Sequence, residues 1–202
     1  MSFVPGRGVL IAIATATNWM GEYSLLYPMK IYLVITFMGK DQPGLVESVA
    51  SVVARHNGNW LESRMCHLGG QFAGVLRVTI EEEREALLMK SLLQLQESGL
   101  MITVRSEAEG VHPSKGSMVA LELLGSDQVG IVSRISGLLA SLGVNVEELH
   151  TELVAAPMSA ELLFKAQGLL ELPEQLDPET LKEELEAVAS DLMVDITLQK
   201  EI

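Results

Sequence analysis

The chain has 202 residues, 48% of them hydrophobic, and a net charge of −13. That supplies enough apolar material for one large or two small buried cores, while the acidic balance opposes a polyphosphate backbone and argues against direct DNA or RNA binding. A single cysteine, Cys66, allows no internal disulfide and fits a reducing, cytoplasmic setting.

Residues 1–28 differ in character from the rest of the chain. A short apolar run at 9–16 comes after Arg7 and ends in Ala14-Thr15-Ala16, the small-residue shape of a signal cleavage site. One basic residue is a minimal leader, and the run is too short to span a bilayer. The segment is read as a poorly ordered N-terminal extension ahead of Met29, in a protein of the cytoplasm with no membrane association.

From Met29, "MKIYLVITFMG" is rich in β-branched and aromatic residues and too apolar for a strand with one wet face, which predicts a central strand. Leu45, Val46, Val49, Val52 and Val53 then fall at helical spacing as one apolar stripe, and Asn57-Gly58 stops the helix. "NWLESRMCHL" and "QFAGVLRVTIE" predict two strands joined by a two-residue hairpin turn at Gly69-Gly70, with Phe72, Gly74, Leu76, Val78 and Ile80 facing inward. A helix over "REALLMKSLLQLQES", with Leu88, Leu92 and Leu95 along one side, and a strand over "LMITVRSE" complete a βαββαβ unit at 29–109.

The same order then returns. Asp41, Gln42, Gly44, Val46, Asn59 and Glu62 recur without a gap as Asp127, Gln128, Gly130, Val132, Asn145 and Glu148. A period of that length is a whole small domain. The second unit, 117–202, reads as strand "SMVALELLG", a helix with Ile131, Val132, Ile135, Leu138, Leu139 and Leu142, strands "NVEELHTELV" and "MSAELLFKAQGLL", a helix with Leu181, Leu185 and Val188, and strand "MVDITLQ". With the offset carried on, Met158, Ala160, Leu162 and Phe164 take the inward places of Phe72, Gly74, Leu76 and Val78. Ala155-Ala156-Pro157 replaces the Gly-Gly turn, and "GVHPSKG" at 110–116 is the linker. The predicted class is α+β: two ferredoxin-like βαββαβ domains, each an antiparallel sheet with both helices on one face. Open sheet faces and edges invite pairing within or between chains, so a homo-oligomer is expected.

Each unit places Asp-Gln-(Pro/Val)-Gly between its first strand and first helix. Free N–H groups at a helix start attract a carboxylate or phosphate. Gly44 and Gly130 let a ligand come close to the backbone, Asp41 and Asp127 are placed to accept from an ammonium group, and Asn59 and Asn145 offer both donor and acceptor. Together they describe a receptor for a free amino acid. The same residues also describe an ordinary helix start, with aspartate as cap, proline in the first turn and asparagine at a helix end.

"GKDQPGLV", an apolar helix and then "NGNWLESRMCHLGGQFAGVLRV" resemble an ACT domain, the small-molecule-sensing module of amino-acid metabolism. Two such units over about 29–200 resemble the glycine cleavage system transcriptional repressor family. The resemblance implies a non-enzymatic regulator with no cofactor and no DNA-binding domain, acting on a separate transcriptional activator of the LysR type, with glycine as the signal. It implies a ligand site at the first strand-to-helix turn, which maps onto Gly39, Asp41, Gly44, Leu45 and Asn59, and onto Gly125, Asp127, Gly130, Ile131 and Asn145. Val129 in place of Pro43, the altered second hairpin and the N-terminal extension depart from the family pattern.

Other chemistry finds less support. Cys66 and His67 are neighbours on a strand, so their side chains point to opposite faces and do not form a nucleophile and base pair; Cys66 is expected to be buried. His56, His67, His112 and His150 lack ligand spacing, and without CxxC or HExxH no metal site is predicted. RNA recognition on such a sheet needs aromatic and basic residues, and only 4% of residues are aromatic. Two alternatives stay open: a ligand-free interaction module, and a small acyl-phosphate hydrolase using Arg64 or Arg77 beside Asn59.

Overall fold

The computed structural model describes residues 29–107, 116–156 and 161–200. The N-terminal extension, most of the linker, Pro157, Met158 and Ala160 lie outside the described residues. The described residues fall into two compact units.

The first unit runs β1 (Lys30–Lys40), α1 (Leu45–Arg55), β2 (Asn59–Leu68), β3 (Gln71–Glu81), a 3-10 turn (Glu82–Arg84), α2 (Glu85–Gln94), a second 3-10 turn (Leu95–Ser98) and β4 (Met101–Ser106). Its antiparallel sheet has the order β2-β3-β1-β4, so β1 is central as its composition predicts. Alternate residues Leu33, Ile35 and Phe37 of β1 are buried in one core with Val49, Val52 and Val53 of α1 and Leu88 and Leu92 of α2. Each such apolar side chain contributes about 1.5–3 kcal/mol on burial. The Gly-Gly turn forms with both glycines at positive φ (58° and 74°), the backbone that a two-residue hairpin demands. Asn57, at φ 58°, ends α1 in the left-handed region, as a stop signal should.

The second unit repeats this as β5 (Ser117–Ser126), α3 (Ile131–Ser141), β6 (Asn145–Ala155), β7 (Leu162–Leu172), α4 (Pro178–Leu192) and β8 (Val194–Lys200), with sheet order β6-β7-β5-β8. The likeness extends to irregularities. A bulge between Trp60 and Glu62 on β2 returns between Val146 and Glu148 on β6.

Three expectations are corrected. First, the constant offset breaks in the second hairpin: Phe72 pairs with Gly39 and His67, whereas Phe164 pairs with Gly125 and Leu153. Phe164 is therefore the counterpart of Phe72, and Leu162 and Phe164 do not stand for Leu76 and Val78. Because the insertion is six residues, an even number, the inward face survives. Second, Val46 and Val132 are 40% and 45% exposed. They sit on the flank of the helical stripe, beyond the side that meets the sheet. Third, Cys66 is exposed. It lies in register with Ala73 and Met38, and so on the open sheet face that no helix covers.

Candidate functional site

The repeated turn begins where β1 and β5 end. Gly39 and Gly125 are there for close approach. A Cβ on Gly39 would lie 2.9 Å from Leu100 Cδ2, and one on Gly125 only 2.6 Å from the Met193 carbonyl oxygen. After β1, the Asp41 N–H donates to the Gly70 carbonyl at 2.9 Å, which ties the turn to the β2–β3 hairpin. Gly44 and Gly130 are the N-caps of α1 and α3, at φ 95° and 96°, and the space beside each is open. Only glycine holds that backbone without strain.

No side chain caps either helix. The Gly44 carbonyl accepts from the Ser48 N–H and hydroxyl, both at 2.9 Å, and the Gly130 carbonyl accepts from the Arg134 N–H. The first amides of each helix, beginning at Leu45 and Ile131, have no intrahelical acceptor and carry the positive end of the helix dipole. Leu45 and Ile131 themselves turn their side chains into the core, at 7% and 2% exposure, so only their backbone is available.

Asp41 does not cap α1, because the cap position falls at Gly44. Its carboxylate lies 3.6 Å from His67 Nε2 at the end of β2. Sequence reasoning missed His67. The signal was present in the hairpin: two strands joined by a two-residue turn bring the end of β2 beside the end of β1 through β3. In the second unit Asp127 is exposed, and Leu153 occupies the place of His67. Gln128 is held differently from the exposed Gln42, its Nε2 donating to the Leu192 carbonyl at 3.0 Å.

Asn59 and Asn145 do not join these clusters. Asn59 pairs with Thr79 and Asn145 with Glu171, at the opposite end of each sheet from Gly39 and Gly125. Along β3 the separation from Phe72 to Thr79 is about 23 Å at the usual strand rise. One small ligand cannot touch Asp41 and Asn59 of the same unit. Asn145 is instead engaged by Glu147, to which its side-chain amide donates.

A cavity of about 540 Å³ opens on the first sheet's uncovered face, lined by Thr36, Met38, Cys66, Val75, Met101 and Thr103 among others. It includes neither Asp41 nor Gly44. Arg77, a hydrolase candidate, donates to Glu107 at 2.7 Å and lies 4.6 Å over the Tyr32 ring. That hydrogen bond holds the guanidinium above its ordinary pKa. Among the described residues, no group of three or more histidine, cysteine, aspartate or glutamate side chains is arranged to hold a metal, and no helix is long and apolar enough to cross a membrane.

Known proteins share this fold. The ACT domain profile matches residues 31–105 and 117–199. The glycine cleavage system transcriptional repressor of Escherichia coli (strain K12) is 23% identical over 162 residues, covering 80% of this chain and 85% of that protein. Its counterpart in Shigella flexneri matches equally. Among solved structures, an unknown protein from Galdieria sulphuraria superposes with a TM-score of 0.77 at 28% identity, covering 86% of this chain and all of that one (100%). A structure described as a glycine cleavage system transcriptional repressor gives a TM-score of 0.65 at 18% identity, over 86% and 99% of the two chains. At that identity the likeness is one of fold.

Proposed function

This chain belongs to the ACT domain family, with two domains, and on that premise we propose that it is an amino-acid-sensing regulator of gene expression in the cytoplasm. It binds a separate transcriptional activator of the LysR type rather than DNA, and its signal is a small amino acid, glycine first. The ligand carboxylate meets the first amides of α1 or α3, and its ammonium group meets Asp41 or Asp127. The observation that carries this reading is the helix start built twice without a side-chain cap, behind a left-handed glycine with open space beside it. Regulation follows if the ligand binds one arrangement of a homo-oligomer better than another, because only differential affinity shifts a population.

Calorimetric titration with a panel of amino acids tests it. Glycine or a close relative should give heat, and D41N/D127N should bind roughly tenfold or more weakly, as expected for loss of a charged hydrogen bond. No heat from any amino acid removes the sensor reading. Capture of a LysR-type activator that changes with glycine supports the partner half, whereas capture indifferent to every amino acid favours a ligand-free interaction module. The hydrolase alternative loses one of its two arginines, because Glu107 and Tyr32 already occupy Arg77.

A further inference from the structure

Each sheet is covered by its two helices on one face, where the core lies, and is open on the other. Strand alternation assigns the side chains of the open faces. In the first unit the middle strands β1 and β3 present Val34, Met38, Ala73 and Val75, and the edge strands β2 and β4 carry Arg64 and Arg105. In the second unit β5 and β7 present Ala120, Leu124, Leu163 and Leu169, and the edge strands β6 and β8 carry Glu148, Glu152 and Asp195. Met38 and Leu124 are 40% and 42% exposed. Both faces therefore have an apolar middle and charged edges, which is the anatomy of an interface.

The two faces differ in sign. Lys30, Lys40 and Arg77 also lie on the first, so its cations outnumber the carboxylates of Glu62, Glu81 and Glu107. Glu122 and Glu171 also lie on the second, where Lys165 is the cation among the described residues. Pairing of Arg77 with Glu107, and of Lys165 with Glu152, removes one charge of each sign and leaves the imbalance as it was. Glu81 is further held by Arg84. The small positive surplus of the first face is too little for a phosphate backbone, but it is opposite to the larger negative surplus of the second.

We propose that the open sheet face of the first unit docks on the open sheet face of the second unit of another copy of this chain, and that two such contacts make a twofold dimer. Either face against its own copy would set like charges together, whereas the first against the second sets edge cations near edge carboxylates. Sheets packed face to face keep their strands within about 30°, so edges meet edges. Both faces belong to one chain and occur in equal number, so a reciprocal pair covers all of them. Four strands at about 4.8 Å and about six residues at 3.3 Å give each face roughly 400 Å². Two contacts then bury roughly 1,600 Å² in total, the size of a standard specific interface.

The test uses the full chain with no amino acid present, so its failure and failure of the sensing reading are separate results. Sedimentation should give a dimer at roughly 50 μM protein. Cys66, the single cysteine, lies exposed on the first face, so its specific rate of reaction with a maleimide should fall as protein concentration rises and the dimer forms. R64E/R105E and E148K/D195K each set like charge against like, and each should weaken the dimer roughly tenfold or more. An equimolar mixture of the two variants should restore it, since one contact is then wild type and the other has both signs exchanged. Circular dichroism verifies folding, and R105E and D195K take over if a double variant unfolds. A wild-type monomer, Cys66 reactivity independent of concentration, variants that dimerise as wild type does, or a mixture that stays monomeric each overturns the proposal.

Discussion

Three aspartates stand ahead of helices in this chain, and their fates differ by a few residues of spacing. Asp177 is the cap of α4: its carboxylate accepts from the Glu179 and Thr180 N–H groups at 3.1 and 3.0 Å and from the Thr180 hydroxyl at 2.7 Å, with Pro178 in the first turn. Asp41 and Asp127 stand three residues before the glycine caps and leave those amides uncapped. The sequence showed an aspartate near each helix start but not which residue held the cap, because that depends on the left-handed glycine between. The bonds from Thr180 hold the Asp177 carboxyl below its ordinary value. A carboxyl lowered on folding stabilises above its unfolded pKa, about 3.9, and loses that contribution as the pH falls through its folded one. D177A should therefore melt a few degrees below wild type at pH 7, and the gap should narrow at pH 2–3. D177N, which can cap without titrating, should recover much of the loss at neutral pH.

At the scale of elements, the strands of the first unit were legible almost to the residue because their signals are local: alternation, a Gly-Gly turn, and a helix stripe. The second hairpin was not. With its Gly-Gly turn gone, its register rested on an assumed offset, and only the pairing of Phe164 with Gly125 and Leu153 reveals the six extra residues. The two strand-end glycines also differ in a way that spacing hides. Gly39 is crowded by the flexible end of Leu100, but Gly125 is crowded by main chain, with the Met193 oxygen and Val194 Cα both 2.6 Å from a built Cβ. A leucine can swing aside, and backbone cannot. G39A should cost about 1 kcal/mol and G125A about 2–3 kcal/mol. Urea unfolding of the two variants decides it, and equal midpoints would mean that β8 shifts as easily as Leu100 rotates.

For the whole molecule, the repeat made the two-domain plan readable, since nearly every element occurs twice, yet the repeat also concealed how unlike the halves are. The net charge lies almost entirely in the second unit, and an apolar Leu153 holds the place that a polar His67 takes in the first. This distribution bears on nucleic acid more sharply than the total charge does. Non-specific DNA affinity grows with the phosphates that lysine and arginine neutralise. The first unit's eight basic residues face nine acidic ones, and Arg77 and Arg84 already pair with Glu107 and Glu81. The second unit offers four basic residues against fifteen acidic. Neither half is net basic by these counts, so the chain alone should leave a duplex fragment unshifted on a native gel at micromolar protein, even at about 50 mM salt where counterion release is most favourable. A retarded band that fades as salt rises would require a basic surface that these counts do not supply. It would also remove the need for a separate DNA-binding partner.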